Sequence, residues 1–400
     1  MKLDKICLFI LAGLLSVSCA DLNYTEETAR DEDWTYEYYG EGIKNMVFDV
    51  YAQVYTQEFE SNSAYFLAGA TDEAMYALET GAVNNYTNGG WSPANPNPTI
   101  WNKSYTAIAE ANMYLEKIHK ADISEWEHNS QYQNWIQQLE LFPYELRFLR
   151  AYFYFELFKT YGDVPLVTTT LTNAQANNVT RTPAAEIVKF IVDEIDEIAP
   201  HLPISYATEV GAEFGRANRV AAYALKARTL LYAASPLHNE SNDPAMWERA
   251  AAAANELLSN TDLNYSLASD YGSYFIGGAP LSSSETIYAI RSYSANTMEA
   301  NNYPIATQGG KSGATPTHNL VSAYEYIGTP DPTDPYVNRD PRLAASIVTN
   351  GSTWNGRVID QSAGGSDDMA RTNASRTGYY LKKFLTDGLN LTQGQTAQHN

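Results

Sequence analysis

Two segments of the chain place aromatic rings beside side-chain amides, between residues that favour turns. Residues 84–91 read NNYTNGGW, and residues 293–303 read YSANTMEANNY. A sugar presents an apolar C–H face that packs on a Trp or Tyr ring, and its hydroxyls bond to polar side chains around that ring. This composition predicts a carbohydrate-binding surface. The candidate contact residues are Trp91, Tyr86, Asn88, Tyr293, Asn301 and Tyr303.

Local packing is the competing interpretation for each tyrosine in these loops, because tyrosine rings also fill protein cores. Trp91 is the more informative residue, since Gly89 and Gly90 precede it and Pro93 follows it. The glycines free the backbone and the proline restricts it. A tryptophan between them is as well placed for ligand contact as for packing.

Other motifs point less directly to chemistry. Residues 309–312 (GGKS) end like a phosphate-binding loop, but Ile305 stands where that motif requires glycine, so we interpret them as a flexible loop. The six histidines form no H-E-x-x-H pattern and have no partner cysteines, so we expect no zinc site. Asp331, Asp334 and Asp340 could supply oxygen ligands to calcium, and a turn with solvated carboxylates is the alternative. We therefore expect no cofactor, with calcium as the one option left open.

Paired carboxylates for glycoside hydrolysis are selected by their distance in space, so the sequence alone neither identifies nor excludes them. The tripeptide Thr71-Asp72-Glu73 is the nearest candidate. A helix cap or an ion pair is the alternative interpretation of this tripeptide.

The charge balance limits the classes of partner. The 400 residues include 47 acidic residues and 26 Lys or Arg residues, which gives a formal net charge of −21. Such a field repels nucleic-acid phosphates and anionic lipid, which excludes nucleic-acid binding and membrane docking through a basic patch. Hydrophobic residues make up 44% of the chain, enough for a large core. After the N-terminus, no apolar run approaches the ~18–20 residues of a membrane helix.

The N-terminus has the features of an export signal, which we assign to residues 1–18. Lys2 and Lys5 form the positive region, residues 6–15 (ICLFILAGLL) form the apolar stretch, and three small residues precede Cys19. This arrangement resembles a bacterial lipoprotein, in which the cysteine at the cleavage site carries the lipid. We expect that lipid to be the only membrane contact. An ordinary secretory signal, with Cys19 as a free thiol, is the alternative.

Helical periodicity defines the elements that must position the candidate residues. Apolar residues recur at spacings of three and four up to about residue 260. The predicted helices are 42–59, 99–119, 143–161, a helix from Thr182-Pro183 to Ala199, 216–234 and 244–259. The segment 143–161 is apolar nearly all round, which predicts burial on most sides. The last two helices are typical of a tetratricopeptide-type pair, and Trp247 and Leu258 are among the residues expected to face inward.

The predicted fold class is mainly α. A tetratricopeptide-like helical scaffold would support a loop-rich, ligand-binding subdomain with short strands, such as one at residues 286–291 (TIYAIR). We divide the chain into a lipoprotein signal peptide (1–18), an acidic tether (19–40), a helical region (41–260) and a loop-rich ligand-binding region (261–400).

Four segments, in this order along the chain, resemble the RagB/SusD family of Bacteroidetes outer-membrane lipoproteins. They are 101–112 (WNKSYTAIAEAN), 145–167 (ELRFLRAYFYFELFKTYGDVPLV), 215–234 (GRANRVAAYALKARTLLYAA) and 338–343 (NRDPRL). Members of this family are usually longer and carry a further helical segment. We therefore expect this sequence to lack the C-terminal helices that would complete the scaffold.

The resemblance implies a non-enzymatic, glycan-binding lipoprotein on the outer membrane, facing the cell exterior. It also implies a partner, a SusC-like TonB-dependent transporter, to which the protein would deliver its oligosaccharide. The family has no catalytic residues to transfer, and its ligand contacts vary with the ligand. Two alternatives stay open: import of oligopeptides by a protein of the same family, and a secreted glycoside hydrolase on a helical scaffold.

Cys19→Ala is expected to release the protein from membrane fractions, because the lipid would have no thiol to which to attach. Immunoblots of membrane and soluble fractions measure this release. Cys7→Ala is the matched control, since Cys7 lies in the apolar stretch of the signal and leaves with it. Retention of the Cys19 variant in the membrane at the wild-type level would contradict the assignment.

Overall fold

The structure is a computed structural model, which describes most of the chain from residue 32 onwards. The described residues are 32–54, 59–60, 65–92, 94–95, 100–206, 213–263, 265–290 and 294–399. The predicted signal peptide, Cys19 and most of the predicted tether lie outside these residues, as does Tyr293.

Helices dominate this part of the chain, which confirms the predicted mainly helical fold class. They are α1 (Glu32–Glu37), α2 (Asn45–Ala52), α3 (Trp101–Lys117), α4 (Tyr132–Tyr161), α5 (Asn173–Ala176), α6 (Ala184–Ile198), α7 (Arg219–Ala234), α8 (Pro244–Ser259), α9 (Tyr271–Tyr274), α10 (Ala279–Ser282), α11 (Thr297–Asn302), α12 (His318–Ala323) and α13 (Arg342–Ser346). A π-helical turn, Tyr39–Lys44, joins α1 to α2. Among the described residues, no helix has the length and apolar character needed to cross a membrane.

The strands are short and pair in twos. Within the described residues, the antiparallel pairs are β1 (Phe59–Glu60) with β2 (Tyr65–Phe66), β3 (Ala74–Tyr76) with β4 (Ala314–Pro316), β5 (Ile347–Val348) with β8 (Tyr380–Leu381), and β6 (Thr353–Trp354) with β7 (Arg357–Val358). The predicted strand at 286–291 is wrong, since residues 286–290 are irregular. Ile287 and Tyr288 pack on the helical core instead of pairing with a neighbouring strand.

The long helix α4 is the centre of the helical half. Phe142, Leu146 and Phe153 are almost completely buried, and α4 packs on both α3 and α6. This confirms that the segment is buried on most sides. The helix begins well before residue 143, however, and Pro143 lies inside it. An internal proline removes one helical hydrogen bond, and burial of its apolar neighbours offsets that loss.

Successive helices then stack side by side, α6 on α7 and α7 on α8. The predicted pair α7 and α8 is present, and each helix is capped by the residue before it. Asn218 Oδ1 accepts a hydrogen bond from the Ala221 N–H at 2.8 Å. Asp243 Oδ1 accepts one from the Ala245 N–H at 2.9 Å. Such caps satisfy N–H groups that have no partner within the helix.

The buried face of α8 differs from the expectation. Ala250 and Ala253 are buried in the helical core, whereas Trp247 is 40% exposed and Leu258 is 81% exposed. The prediction that Trp247 and Leu258 face inward is therefore wrong. Small residues let two helix axes approach closely. The face of α8 that carries Ala250 and Ala253 therefore packs on α7, rather than the face that carries Trp247 and Leu258.

Two other predicted boundaries are shifted. Pro183 is the N-cap of α6 rather than its first residue, and the helix begins at Ala184. The cap comes from a distant side chain, because Asp163 Oδ1 accepts the Ala184 N–H at 2.8 Å. Within the described residues 42–54 of the predicted helix 42–59, the α-helical part is Asn45–Ala52, which follows the π-helical turn, and Phe59 lies in β1.

The loop-rich half has a core of its own. Its buried residues include Met298, Tyr303, Trp354, Tyr380 and Leu385. Phe66 belongs to the same core, and β3 pairs with β4 in a register that places Met75 opposite Thr315. A segment from the early part of the chain is therefore built into this half, and it leads directly into the first candidate loop.

Phe153→Ala is expected to lower the free energy of unfolding by about 3–5 kcal/mol, because it opens a cavity in the helical core. Chemical denaturation followed by circular dichroism measures this change. Leu258→Ala is the control, since that side chain is 81% exposed and its loss removes almost no packing. An unchanged melting temperature for Phe153→Ala would place the ring outside the core.

Candidate functional site

The loop that carries Trp91 is attached to the end of the strand β3. β3 ends at Tyr76, and a 3₁₀ turn follows at Ala82–Tyr86. The side-chain amide of Asn84 donates to the carbonyls of Leu78 and Glu79 at 2.9 and 3.1 Å. These bonds hold the 3₁₀ turn against the end of the preceding strand.

A second set of bonds shapes the turn before Trp91. Asn88 Oδ1 accepts the Gly90 N–H at 2.8 Å, and Asn95 Nδ2 donates to the Gly90 carbonyl at 2.7 Å. Gly89 has φ +78°, in the left-handed region that favours glycine. A Cβ on Gly90 would lie 2.8 Å from the side-chain oxygens of Asn85 and Asn88. The conformation of the turn therefore favours glycine at position 89, and a side chain at position 90 would require the amides of Asn85 and Asn88 to shift.

The result is an exposed tryptophan on a hydrogen-bonded loop. The side chain of Trp91 is 60% exposed. Its ring lies beside that of Tyr86, with centroids 5.3 Å apart and planes inclined by 57°. Asn88 is exposed on the same turn. The structure thus brings together three of the predicted contact residues, Trp91, Tyr86 and Asn88.

Tyr303 does not belong to this surface, which corrects the sequence prediction for it. Its side chain is fully buried, and its ring meets Trp354 edge-to-face with centroids 5.9 Å apart. Its hydroxyl donates to the Thr386 carbonyl. Burial raises the pKa of the Tyr303 phenol. Tyr303 is a core residue because Trp354, in the strand β6, and the segment around Thr386 both pack on it.

Asn301 stays a predicted contact residue. It is half-buried near the end of α11, and its Oδ1 accepts a bond from Lys311 Nζ at 3.4 Å. Tyr293 lies outside the described residues.

Sequence reasoning missed a contact that joins the Trp91 loop to the loop-rich half. Arg376 forms an ion pair with Glu79, although 297 positions separate them. Both side chains are more than half exposed, so the pair contributes little to stability. It instead helps to orient the segment that leads into the loop. No periodicity or motif in the sequence links these two residues.

The acidic turn considered for calcium is organised by hydrogen bonds to its own chain. Asp331 Oδ1 accepts the Thr333 N–H at 2.7 Å, and Asp334 Oδ1 accepts the Tyr336 N–H at 2.9 Å. Hydrogen bonds from Arg342 lower the pKa of Asp340 to about 2. Among the described residues, no group of three His, Cys, Asp or Glu side chains could hold a metal ion.

The two remaining motifs are structural turns. The segment GGKS leads into the strand β4 rather than into a helix, so it lacks the helix N-terminus that a phosphate-binding loop requires. Thr71 Oγ1 accepts the Glu73 N–H at 3.1 Å and donates to the Ala68 carbonyl at 2.8 Å. Thr71 is the C-cap residue of a 3₁₀ turn at Leu67–Ala70, and the strand β3 rather than a helix follows the tripeptide.

Comparison with known families assigns the chain to one of them. A family model described as "Starch-binding associating with outer membrane" matches residues 29–231, which is more than half of the chain. A second model, described as "SusD family", matches residues 280–400. The chain belongs to the SusD/RagB family. No protein in the curated collection of sequences matches it.

Solved structures of SusD-like proteins share the fold. A SusD-like carbohydrate-binding protein from Bacteroides fragilis has 24% identity and a TM-score of 0.73, covering 91% of this chain and 71% of its own. A laminarin-binding SusD-like protein has 19% identity and a TM-score of 0.57, covering 89% and 76%. Surface glycan-binding protein A from Bacteroides thetaiotaomicron, in complex with laminarihexaose, has 16% identity and a TM-score of 0.61, covering 90% and 74%. The predicted SusD-like helical scaffold is therefore confirmed.

Tyr303→Ala is expected to lower the free energy of unfolding by about 3 kcal/mol or more, because it empties part of the second core. Trp91→Ala should change it by about 0.5 kcal/mol or less, since the ring is largely exposed. Urea unfolding of both variants tests this contrast. A loss of stability in Trp91→Ala as large as that in Tyr303→Ala would place Trp91 in a core.

Proposed function

We propose that this SusD/RagB protein is a cell-surface glycan-binding protein and that Trp91 is the stacking platform for its oligosaccharide. The observation that carries this proposal is the exposure of Trp91, 60%, on a loop whose conformation is held by its own hydrogen bonds. The ring of Trp91, held beside that of Tyr86, offers an apolar face on which a ligand can pack. A sugar face is a suitable partner because the side-chain amides of Asn88 and Asn95 lie within the same turn.

The charge of the protein favours a neutral ligand. The chain has a formal net charge of −21, so anionic ligands are repelled at long range. A neutral oligosaccharide is insensitive to that field and binds through stacking and hydrogen bonds. The glycans bound by similar structures support this choice, since one is described as laminarin-binding and another is in complex with laminarihexaose.

The same proposal includes location and partner. A lipid on Cys19 would anchor the protein to the outer membrane, facing the cell exterior, and residues 20–31 would hold the body away from the bilayer. The predicted tether 19–40 is too long, because α1 begins at Glu32 and both Tyr36 and Tyr39 are buried in the helical core. A SusC-like TonB-dependent transporter would receive the captured oligosaccharide. The protein would act by binding and release, without catalysing a reaction. The outer-membrane description of the matching family supports this location.

Trp91→Ala is expected to weaken oligosaccharide binding by about 2 kcal/mol, or about thirtyfold in affinity, because an interface anchor is lost. Isothermal titration calorimetry with laminarihexaose, maltohexaose and cellohexaose measures this loss. Trp247→Ala is the matched control, since Trp247 is also a partly exposed tryptophan, 40%, but lies on the helix α8. The oligosaccharide affinity of the Trp247→Ala variant should equal that of the wild type.

Two results would contradict the proposal. The first is equal affinity of the wild type and Trp91→Ala for every hexasaccharide that binds. The second is the absence of saccharide binding together with binding of oligopeptides in the same calorimeter, which would favour the peptide-import alternative.

A further inference from the structure

A cavity of about 560 Å³ lies where the helical half meets the loop-rich half. One wall is formed by residues 204–206, 213–216 and 218, directly before α7. The opposite wall includes Asp262, Tyr265 and residues 281–284 and 286–289. Its volume falls in the range of small-molecule sites, which often lie at such junctions. The described lining residues include none from the Trp91 loop.

The helical wall of the cavity is rigid. The hydroxyl of Tyr206 donates to Glu145 Oε1 at 2.8 Å, and the guanidinium of Arg216 covers the Tyr206 ring at 4.3 Å from its centroid. On the opposite wall, Tyr288 packs edge-to-face on Phe148 of α4, with centroids 5.7 Å apart. Aromatic groups that are fixed before a ligand arrives lose little entropy on binding. The half-buried Tyr265 supplies a further ring from the opposite wall.

The polar lining selects against anions. Arg216 is already bound by Glu145 and Glu213, and Glu213 also accepts from Lys44 Nζ at 2.6 Å. The positive charges that these residues bring to the cavity are therefore paired. Asp262 adds an exposed carboxylate, and consecutive serines at 282–284 add hydroxyls. Carboxylates and hydroxyls beside tyrosine rings suit a neutral polyhydroxylated molecule.

We infer that this cavity is a second saccharide-binding site, which holds a segment of one or two sugar rings. It is separate from the surface at Trp91 and would let the protein hold a glycan at two points. The inference rests on the proposed function for the class of ligand. The two sites are tested by different variants, so that either can fail without the other.

The test uses the full chain, and the probes are laminaribiose, maltose and cellobiose, measured by calorimetry. Tyr265→Ala removes a ring from the wall, and Tyr265→Phe keeps that ring as the matched control. Asp262→Ala removes the carboxylate from an exposed position, where substitution has little effect on folding. For at least one disaccharide, Tyr265→Ala and Asp262→Ala should weaken binding by about tenfold or more. Tyr265→Phe and Trp247→Ala should stay within about twofold of the wild type, since Trp247 lies on α8 and does not line the cavity.

Two outcomes overturn the cavity site: no disaccharide binds the wild type, or Asp262→Ala binds every disaccharide as the wild type does. The titrations of Asp262→Ala test the cavity site even if Tyr265→Ala fails to fold. Titrations of the same variants with the hexasaccharides then separate the two sites. Loss of hexasaccharide binding in Trp91→Ala alone would leave the proposed function standing and would show that the cavity does not hold the same glycan at a second point. Loss in the cavity variants alone would support the cavity and remove Trp91 as the platform.

Discussion

The buried carboxylate of Glu145 is the point on which the helical half depends. It lies in the middle of α4 with no solvent exposure and accepts hydrogen bonds from Tyr51 at 2.6 Å, Tyr206 at 2.8 Å and Arg216 Nε at 3.0 Å. A buried charge costs several kcal/mol unless it is paired and hydrogen-bonded. Burial raises the pKa of both phenols, so they remain protonated and can donate. This requirement fixes α2, α4 and the segment before α7 relative to one another, because each of them supplies a group that the carboxylate needs.

The loop-rich half is attached to the same network. Asn218, two residues after Arg216, caps α7 with its oxygen and donates from its amide to the Ile287 carbonyl at 3.1 Å. Tyr288 then packs on Phe148 of α4. The irregular segment around residue 287 is thus held by the helical core rather than by strand pairing. The cavity lies between this attached segment and the residues directly before α7.

The sequence predicted what periodicity and local chemistry determine. The helices α3, α4, α6, α7 and α8 follow from apolar spacing, and the turn before Trp91 follows from its asparagines and glycines. Contacts between residues that are distant in sequence determine the features that the sequence did not predict. The cap of α6 comes from Asp163, and the burial of Tyr303 comes from Thr386, 83 positions later, and from Trp354. Tyr303 and Trp91 both stand in asparagine-rich segments, so composition alone could not separate a core ring from an exposed one.

The binding surface proposed at Trp91 depends on a loop that the shared fold supports. Its conformation depends on hydrogen bonds within the loop. It also depends on the hydrogen bonds from Asn84 to the carbonyls of Leu78 and Glu79, just after β3. The scaffold supplies the anchor, through the pairing of β3 with β4 and the ion pair between Glu79 and Arg376. Because the loop is held by its own hydrogen bonds, little entropy would be lost when a ligand packs on the ring. Similar structures keep the fold at 16–24% identity. A loop that is shaped by its own residues can therefore change its ligand without changing the helices that support it.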